Sequence, residues 1–248
     1  MPDQTDDCAS PPFELFEGGA FLGLERMLRS LRPAGFTIGQ KALLSILATW
    51  VPMLVLAALQ GFALGPTRAE SFLLDPAMYA RFLLTIPLFF YVQKILTAKF
   101  RSITQHFLNA KLVKEAGLEQ FCGHIAAAMR LRCSPLADWL QLLLAYGYAF
   151  AVFRLVVPDL SASWRMIGPD GHRSLSLAGW WFITVSEPIF AFILFRFIYR
   201  LGLWWRLLWQ TSRLDLDLDA AHPDGAAGLG FLGLTLPAAQ EAAFAISA

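Results

Sequence analysis

GWWFITVSEPIFAFILFRFIYRLGLWWRLLWQ, Gly179 to Gln210, is apolar for long enough to cross a bilayer. Trp180 and Trp181 bracket one end and Trp204, Trp205 and Trp209 the other. Such amphipathic rings collect where membrane meets water. Inside the stretch sit a carboxylate followed by proline, Glu187-Pro188, and an arginine, Arg196. The stretch therefore states the solvent of the fold and holds an unusual charge, but it names no reaction.

Working outward, composition agrees. The chain has 248 residues, is 56% hydrophobic and is only 16% charged, where an ordinary globular domain has roughly 25% charged residues. A soluble protein this apolar could not cover its surface. Four apolar runs are long enough to span hydrocarbon, at about 41–64, 77–98, 135–157 and 179–201. The expected fold is an all-α, polytopic helical membrane protein with four complete transmembrane helices and amphipathic cytoplasmic helices.

The expected organisation has three parts. Residues 1–36 form a tail: an acidic, proline-containing start, then a helix over 13–32 with Leu24, Leu28 and Leu31 on one face and Arg26, Arg29 and Arg32 on the other. That helix suits an anionic lipid surface, or equally packing on the protein's own loops. Residues 37–210 form the four-span domain with a basic loop at 99–134. Residues 211–248 form an aspartate-rich segment, and Pro237 starts what reads as a fifth span cut short. The first 35 residues hold no short apolar core followed by small residues, so the first span is expected to act as its own uncleaved signal.

Local signals place the helix ends. Thr37-Ile-Gly-Gln40 has capping-box spacing. Asp75-Pro76 reads as an N-cap with proline in the first turn, and Ser134-Pro135 opens the third span. Pro52, Pro87 and Pro188 interrupt spans one, two and four. Span two has a short apolar heart, so Arg81 and Lys94 are expected to snorkel to its two interfaces. Periodic Phe100, Ile103, Phe107 and Ala110 look like the second helix continuing past the membrane. Gly117 and Gly123 interrupt, and a short helix follows over 118–131.

Lysines and arginines divide unevenly between alternate segments, fourteen against four. The positive-inside rule then puts the N-terminus in the cytoplasm. All three cysteines, Cys8, Cys122 and Cys133, fall on that side, where thiols stay reduced. Net charge is +1, which points to no acidic partner and to no nucleic acid. The expected partners are the lipid bilayer and either a membrane-protein partner or a second copy of the chain.

Two constellations could carry chemistry. Glu187 lies about 12 Å into its span at the helical rise. Arg154, near the end of the preceding antiparallel span, is its expected partner, as an intramembrane charge pair that either lines a proton or ion path or is purely structural. The second is Leu214-Asp-Leu-Asp-Leu-Asp219 with His222-Pro-Asp224-Gly225. Alternation puts Asp215, Asp217 and Asp219 on one side of an extended segment. With His222 and Asp224 they could hold a divalent metal, or equally pair with basic side chains. Cys122-Gly-His124 with Cys133 lacks the paired spacings of a zinc site. His106 and His172 stand alone as loop or interface residues. No motif names a cofactor, and neither a hydrolase elbow nor a metalloprotease helix is present, so the reading leans away from an enzyme.

His222-Pro223-Asp224 followed by Gly228-Leu229-Gly230-Phe231-Leu232 resembles a segment of uncharacterised bacterial multi-pass inner-membrane proteins. The resemblance implies a bacterial inner-membrane home and further spans, and it carries no activity. Three functions follow as expectations: a channel, transporter or transport-associated subunit; a non-catalytic anchor, sensor or assembly partner; and a membrane enzyme using the aspartate–histidine cluster.

Overall fold

The computed structural model describes residues 37–110, 112–155, 163–168, 174–217 and 223–235, with 240 and 243. Among the described residues the fold is 77% helical, with five helices and almost no sheet. In chain order they are α1 (Ile38–Leu59), α2 (Pro76–Asn109), α3 (Glu115–Arg132), α4 (Pro135–Leu155) and α5 (Leu177–Thr211). All except α3 are long and apolar enough to cross a membrane. Their exposed side chains are those of a lipid-facing surface, such as Leu136 (76% exposed) and Leu143 (70%) on α4. The chain is a helical membrane protein. The tail helix expected over 13–32 and most of the expected fifth span lie outside the described residues.

The helix ends follow local chemistry. The Gln40 N–H donates to Thr37 Oγ1 (3.3 Å) and the Thr37 N–H to Gln40 Oε1 (3.0 Å), the reciprocal box that the sequence announces. α1 stops at Leu59, short of 64, because Gly61 turns the chain at φ 80°. The Asp75 carboxylate accepts from the Ala77 N–H (3.1 Å) and caps α2. Ser176 caps α5 by accepting from the Gly179 N–H (2.9 Å).

α2 and α5 run 34 and 35 residues, past the membrane spans expected to end at 98 and 201; the continuation of α2 is the one that its periodicity announces, that of α5 was not expected. The span reading stopped each at its charges. Helix continues because the amphipathic extensions still bury a face: Phe100, Ile103 and Phe107 on α2, Leu203, Trp204 and Leu207 on α5. α3 likewise runs unbroken through Gly117 and Gly123. Each glycine costs about 1 kcal/mol in a helix, and α3 gains packing through buried Phe121 and Ala128.

α2 and α5 also share a plan. Each widens into a π-helical stretch, Tyr79–Thr85 in α2 and Phe182–Ser186 in α5. In both, proline comes two residues after that stretch, in Thr85-Ile86-Pro87 and Ser186-Glu187-Pro188. Proline lacks an N–H and crowds the carbonyl four residues back. A wider turn upstream relieves that crowding without ending the helix.

Two compact units are resolved. One contains the described parts of Met27–Tyr91 and Asp138–Arg196. Here Pro52 leaves the Ala48 carbonyl without its helical donor. The Trp181 Nε1–H fills that vacancy (3.2 Å), and the Ser186 hydroxyl donates to the Thr49 carbonyl next door (3.0 Å). A break in α1 thereby becomes the place where α5 docks. Trp164, 1% exposed, stands edge-on to Phe72 (4.9 Å) and Phe182 (6.1 Å). A short antiparallel ribbon, β1 (Met166–Ile167) and β2 (Ser174–Leu175), returns the chain to α5. Gly179 lies directly beneath the Arg165 carbonyl, where any side chain would collide.

The other unit contains the described parts of Val92–Ala137 and Phe197–Phe244. Phe100 stacks flat on Trp204 at 4.0 Å, and the Tyr199 hydroxyl donates to the Leu131 carbonyl (3.0 Å). Beyond α5 the chain is extended, and Leu216 bridges antiparallel to Val113. A 3₁₀ turn, Gly230–Thr235, sets Phe231 against His106 (4.3 Å) and Phe107 (5.0 Å).

Candidate functional site: a buried charge cluster on α2 and α5

Glu187 is completely buried. It follows the π-helical stretch of α5 directly, which turns its side chain toward α2. Arg81, inside the matching stretch of α2, donates from Nη1 to both Glu187 oxygens, at 2.8 and 2.9 Å. The Arg81 guanidinium also lies 5.3 Å from the Phe190 ring centre. Its remaining edge, Nε and Nη2, makes no hydrogen bond among the described residues, and the side chain stays 31% exposed.

A second pair lies beside the first. Arg165 Nη2 donates to Asp75 Oδ2 (3.1 Å), and the Trp164 indole N–H donates to the same oxygen (3.0 Å). The Arg165 guanidinium is held between the rings of Trp164 (4.3 Å) and Phe182 (4.9 Å). Burial pulls the Arg165 guanidinium below its ordinary pKa, while the Asp75 carboxylate opposes that pull. Arg165 also feels repulsion from Arg81 and attraction to Glu187, so the two pairs form one electrostatic unit. Two cations and two carboxylates make it neutral, the condition under which charge survives in low dielectric.

The pairing corrects the sequence expectation. Arg154 is exposed, with its guanidinium 5.3 Å from the Phe150 ring on its own helix, while Glu187 pairs with Arg81. Chain adjacency favours α4 as the neighbour of α5, but Glu187 faces the parallel helix α2. Arg81, expected to snorkel, pairs with Glu187 while its side chain stays 31% exposed. The signal that could have found it is the repeated proline register in α2 and α5, which sets Arg81 and Glu187 beside equivalent helix breaks. Asp75 and Arg165 were not among the sequence candidates for chemistry.

The aspartate segment is arranged otherwise. Asp215 Oδ2 accepts from Lys114 Nζ at 2.8 Å. That hydrogen bond raises the Lys114 pKa, with Asp217 adding a smaller pull. The Asp217 N–H donates to the Leu112 carbonyl (2.8 Å). Asp224 organises the glycine-rich turn: Oδ1 accepts from the Ala226 and Gly228 N–H groups (2.9 and 3.1 Å), and Oδ2 from the Gly230 N–H (2.8 Å). Asp219 and His222 lie outside the described residues. Among the described residues no three histidine, cysteine, aspartate or glutamate side chains are grouped to hold a metal ion.

Cys133 is free and exposed, and Cys8 lies outside the described residues. His106 packs on Phe231, and His172 lies outside the described residues. The chain matches no family model, and no curated protein or solved structure is similar to it.

Proposed function

We propose that the protein works in transport across a bacterial inner membrane, as a channel, transporter or transport-associated subunit, with its N-terminus in the cytoplasm. One observation carries this reading: the Arg81–Glu187 pair joins two parallel helices, each opened at that level by a π-helical stretch and a proline. Charges inside a membrane are costly and mark ion or substrate paths. Broken helices that expose backbone near a midplane charge are the usual building material of such paths. The test is flux in proteoliposomes. Glu187→Gln is expected to collapse it at equal amounts of folded, reconstituted protein. Unchanged flux overturns the reading.

The orientation rests on the excess of basic residues in alternate segments. A membrane-impermeant maleimide applied to intact spheroplasts decides: Cys133 stays unlabelled if its side is cytoplasmic.

A second reading, an anchor or assembly partner, draws on α4. Only Gln141, Ala145 and Ala149 are buried on that helix, and Gln141 Oε1 has no hydrogen-bond partner among the described residues. A stable protein co-purifying through α4, lost in Gln141→Leu, would favour it. The enzyme reading draws no such support, since Asp215 serves Lys114 and Asp224 serves the backbone.

A further inference from the structure

We propose that the unused edge of the Arg81 guanidinium is a binding site for a small monovalent carboxylate, which fills when Glu187 takes up a proton. The inference rests on the transport reading and deepens it by naming the substrate class.

A guanidinium offers five N–H donors in a planar fork, and its two-pronged edges match a carboxylate. Glu187 does not use such an edge. Both of its oxygens sit on one nitrogen, Nη1. The edge formed by Nε and Nη2 is left over, on a side chain that is 31% exposed while its partner is fully buried. The open side of the pair is therefore the arginine side. Phe190 lies under the guanidinium at 5.3 Å and offers an apolar wall to the carbon end of a ligand.

Charge counting supplies the coupling. Among the described residues, the charged groups around Glu187 are Arg81 from α2 and Arg165 from the segment before β1, which in turn holds Asp75 at the start of α2. α1 contributes the Thr49 carbonyl, through Ser186, and no charge at this level. α4 contributes none either, because Arg154 is exposed and lies against Phe150. The cluster is neutral as it stands. A carboxylate added alone would leave it at minus one, and a proton added alone at plus one. Either excess is costly in low dielectric. A proton from water placed on a Glu187 oxygen, together with a carboxylate on Arg81 Nε and Nη2, restores neutrality. No other bond changes. Proton and anion then bind together or not at all.

The test is equilibrium binding of radiolabelled acetate to the full chain in nanodiscs, with chloride as competitor. For the unmodified protein, acetate affinity is expected to fall about tenfold per pH unit once Glu187 is ionised, the linkage of one proton to one anion. Glu187→Gln imitates the protonated side chain, so it is expected to bind acetate equally across the pH range. Arg81→Lys keeps the positive charge and removes the fork. It is expected to lose acetate binding while its melting temperature in ligand-free buffer stays close to the parent's.

Acetate binding that survives in Arg81→Lys overturns the site. So does pH dependence that persists in Glu187→Gln, or displacement by chloride at equal concentration. The two proposals fail separately. Proton-linked acetate binding without flux removes the transport reading and leaves the site. Glu187-dependent flux with no acetate binding removes the site and leaves transport.

Discussion

Arg81–Glu187 and Lys114–Asp215 are both 2.8 Å ion pairs, and they have almost nothing else in common. The first hides a fully buried carboxylate, whereas the second leaves its carboxylate side chain 79% exposed. Distance therefore ranks nothing here. In water, a pair of this kind gains little, because solvent screens it and two long side chains must be held still. In low dielectric the same pair is the condition for either charge to be present at all. The buried pair also sits in a neutral cluster of four, so removing one member leaves three unbalanced. The exposed pair sits beside a backbone bridge, Val113 with Leu216, that holds the segment with or without it.

The comparison is broken most severely at Arg81. Arg81→Gln leaves Glu187 buried without its cation and is expected to cost about 3–5 kcal/mol. A melting temperature within a degree of the parent's would mean that Glu187 is satisfied by something else. Asp75→Asn is the next test. Asparagine keeps one oxygen, which can still cap α2, but its amide nitrogen then faces the Trp164 indole and Arg165, and the charge opposite Arg165 is gone. The expected cost is about 1.5–3 kcal/mol, the range for a hydrogen bond to a charged group. If Asp75→Asn and Arg81→Gln combine additively, the two pairs are independent and the single electrostatic unit is wrong.

How much of this could be read in advance follows the same divide. Features that depend on neighbours in sequence were legible. The Thr37/Gln40 box, the Asp75 cap, the four spans and the extension of α2 through Phe100, Ile103 and Phe107 are statements about residues one to four positions apart. Choices between helices were not. From the sequence, chain adjacency makes Arg154 the expected partner of Glu187 and leaves Arg81 as an interfacial residue. The decision rests on which face α5 turns to α2, and that is set partly by Trp181 docking on the carbonyl freed by Pro52. Asp224 shows the same limit in reverse. In an alternating acidic segment it reads as a metal ligand. The glycines at 225, 228 and 230 instead let the backbone curl around it, and its oxygens are filled by N–H groups.

Asp224 therefore provides a smaller and sharper contrast with Asp215. Both are carboxylates of one acidic segment, but one binds backbone and the other a side chain. Asp224→Ala removes the acceptor for three N–H groups and is expected to cost about 1 kcal/mol, comparable to loss of a helix cap. Its local readout is faster hydrogen exchange at Ala226, Gly228 and Gly230. Faster exchange everywhere in the unit would mean that the turn holds more than itself.

The smallest expected effect is at Lys114. Its side chain is exposed, and the Asp215 hydrogen bond only strengthens a charge already present at neutral pH. The raised Lys114 pKa means that whatever the pair contributes is fully present below the ordinary lysine value. It is lost only as pH rises through the folded one, far above working pH. Lys114→Ala is therefore expected to leave the melting temperature unchanged between pH 6 and 8 and to erase any salt dependence that the pair gives. A fall comparable to that of Arg81→Gln would show that Asp215 is not solvated in the membrane-bound protein. The divide between a buried pair that the fold requires and an exposed pair that it tolerates would then be in the wrong place.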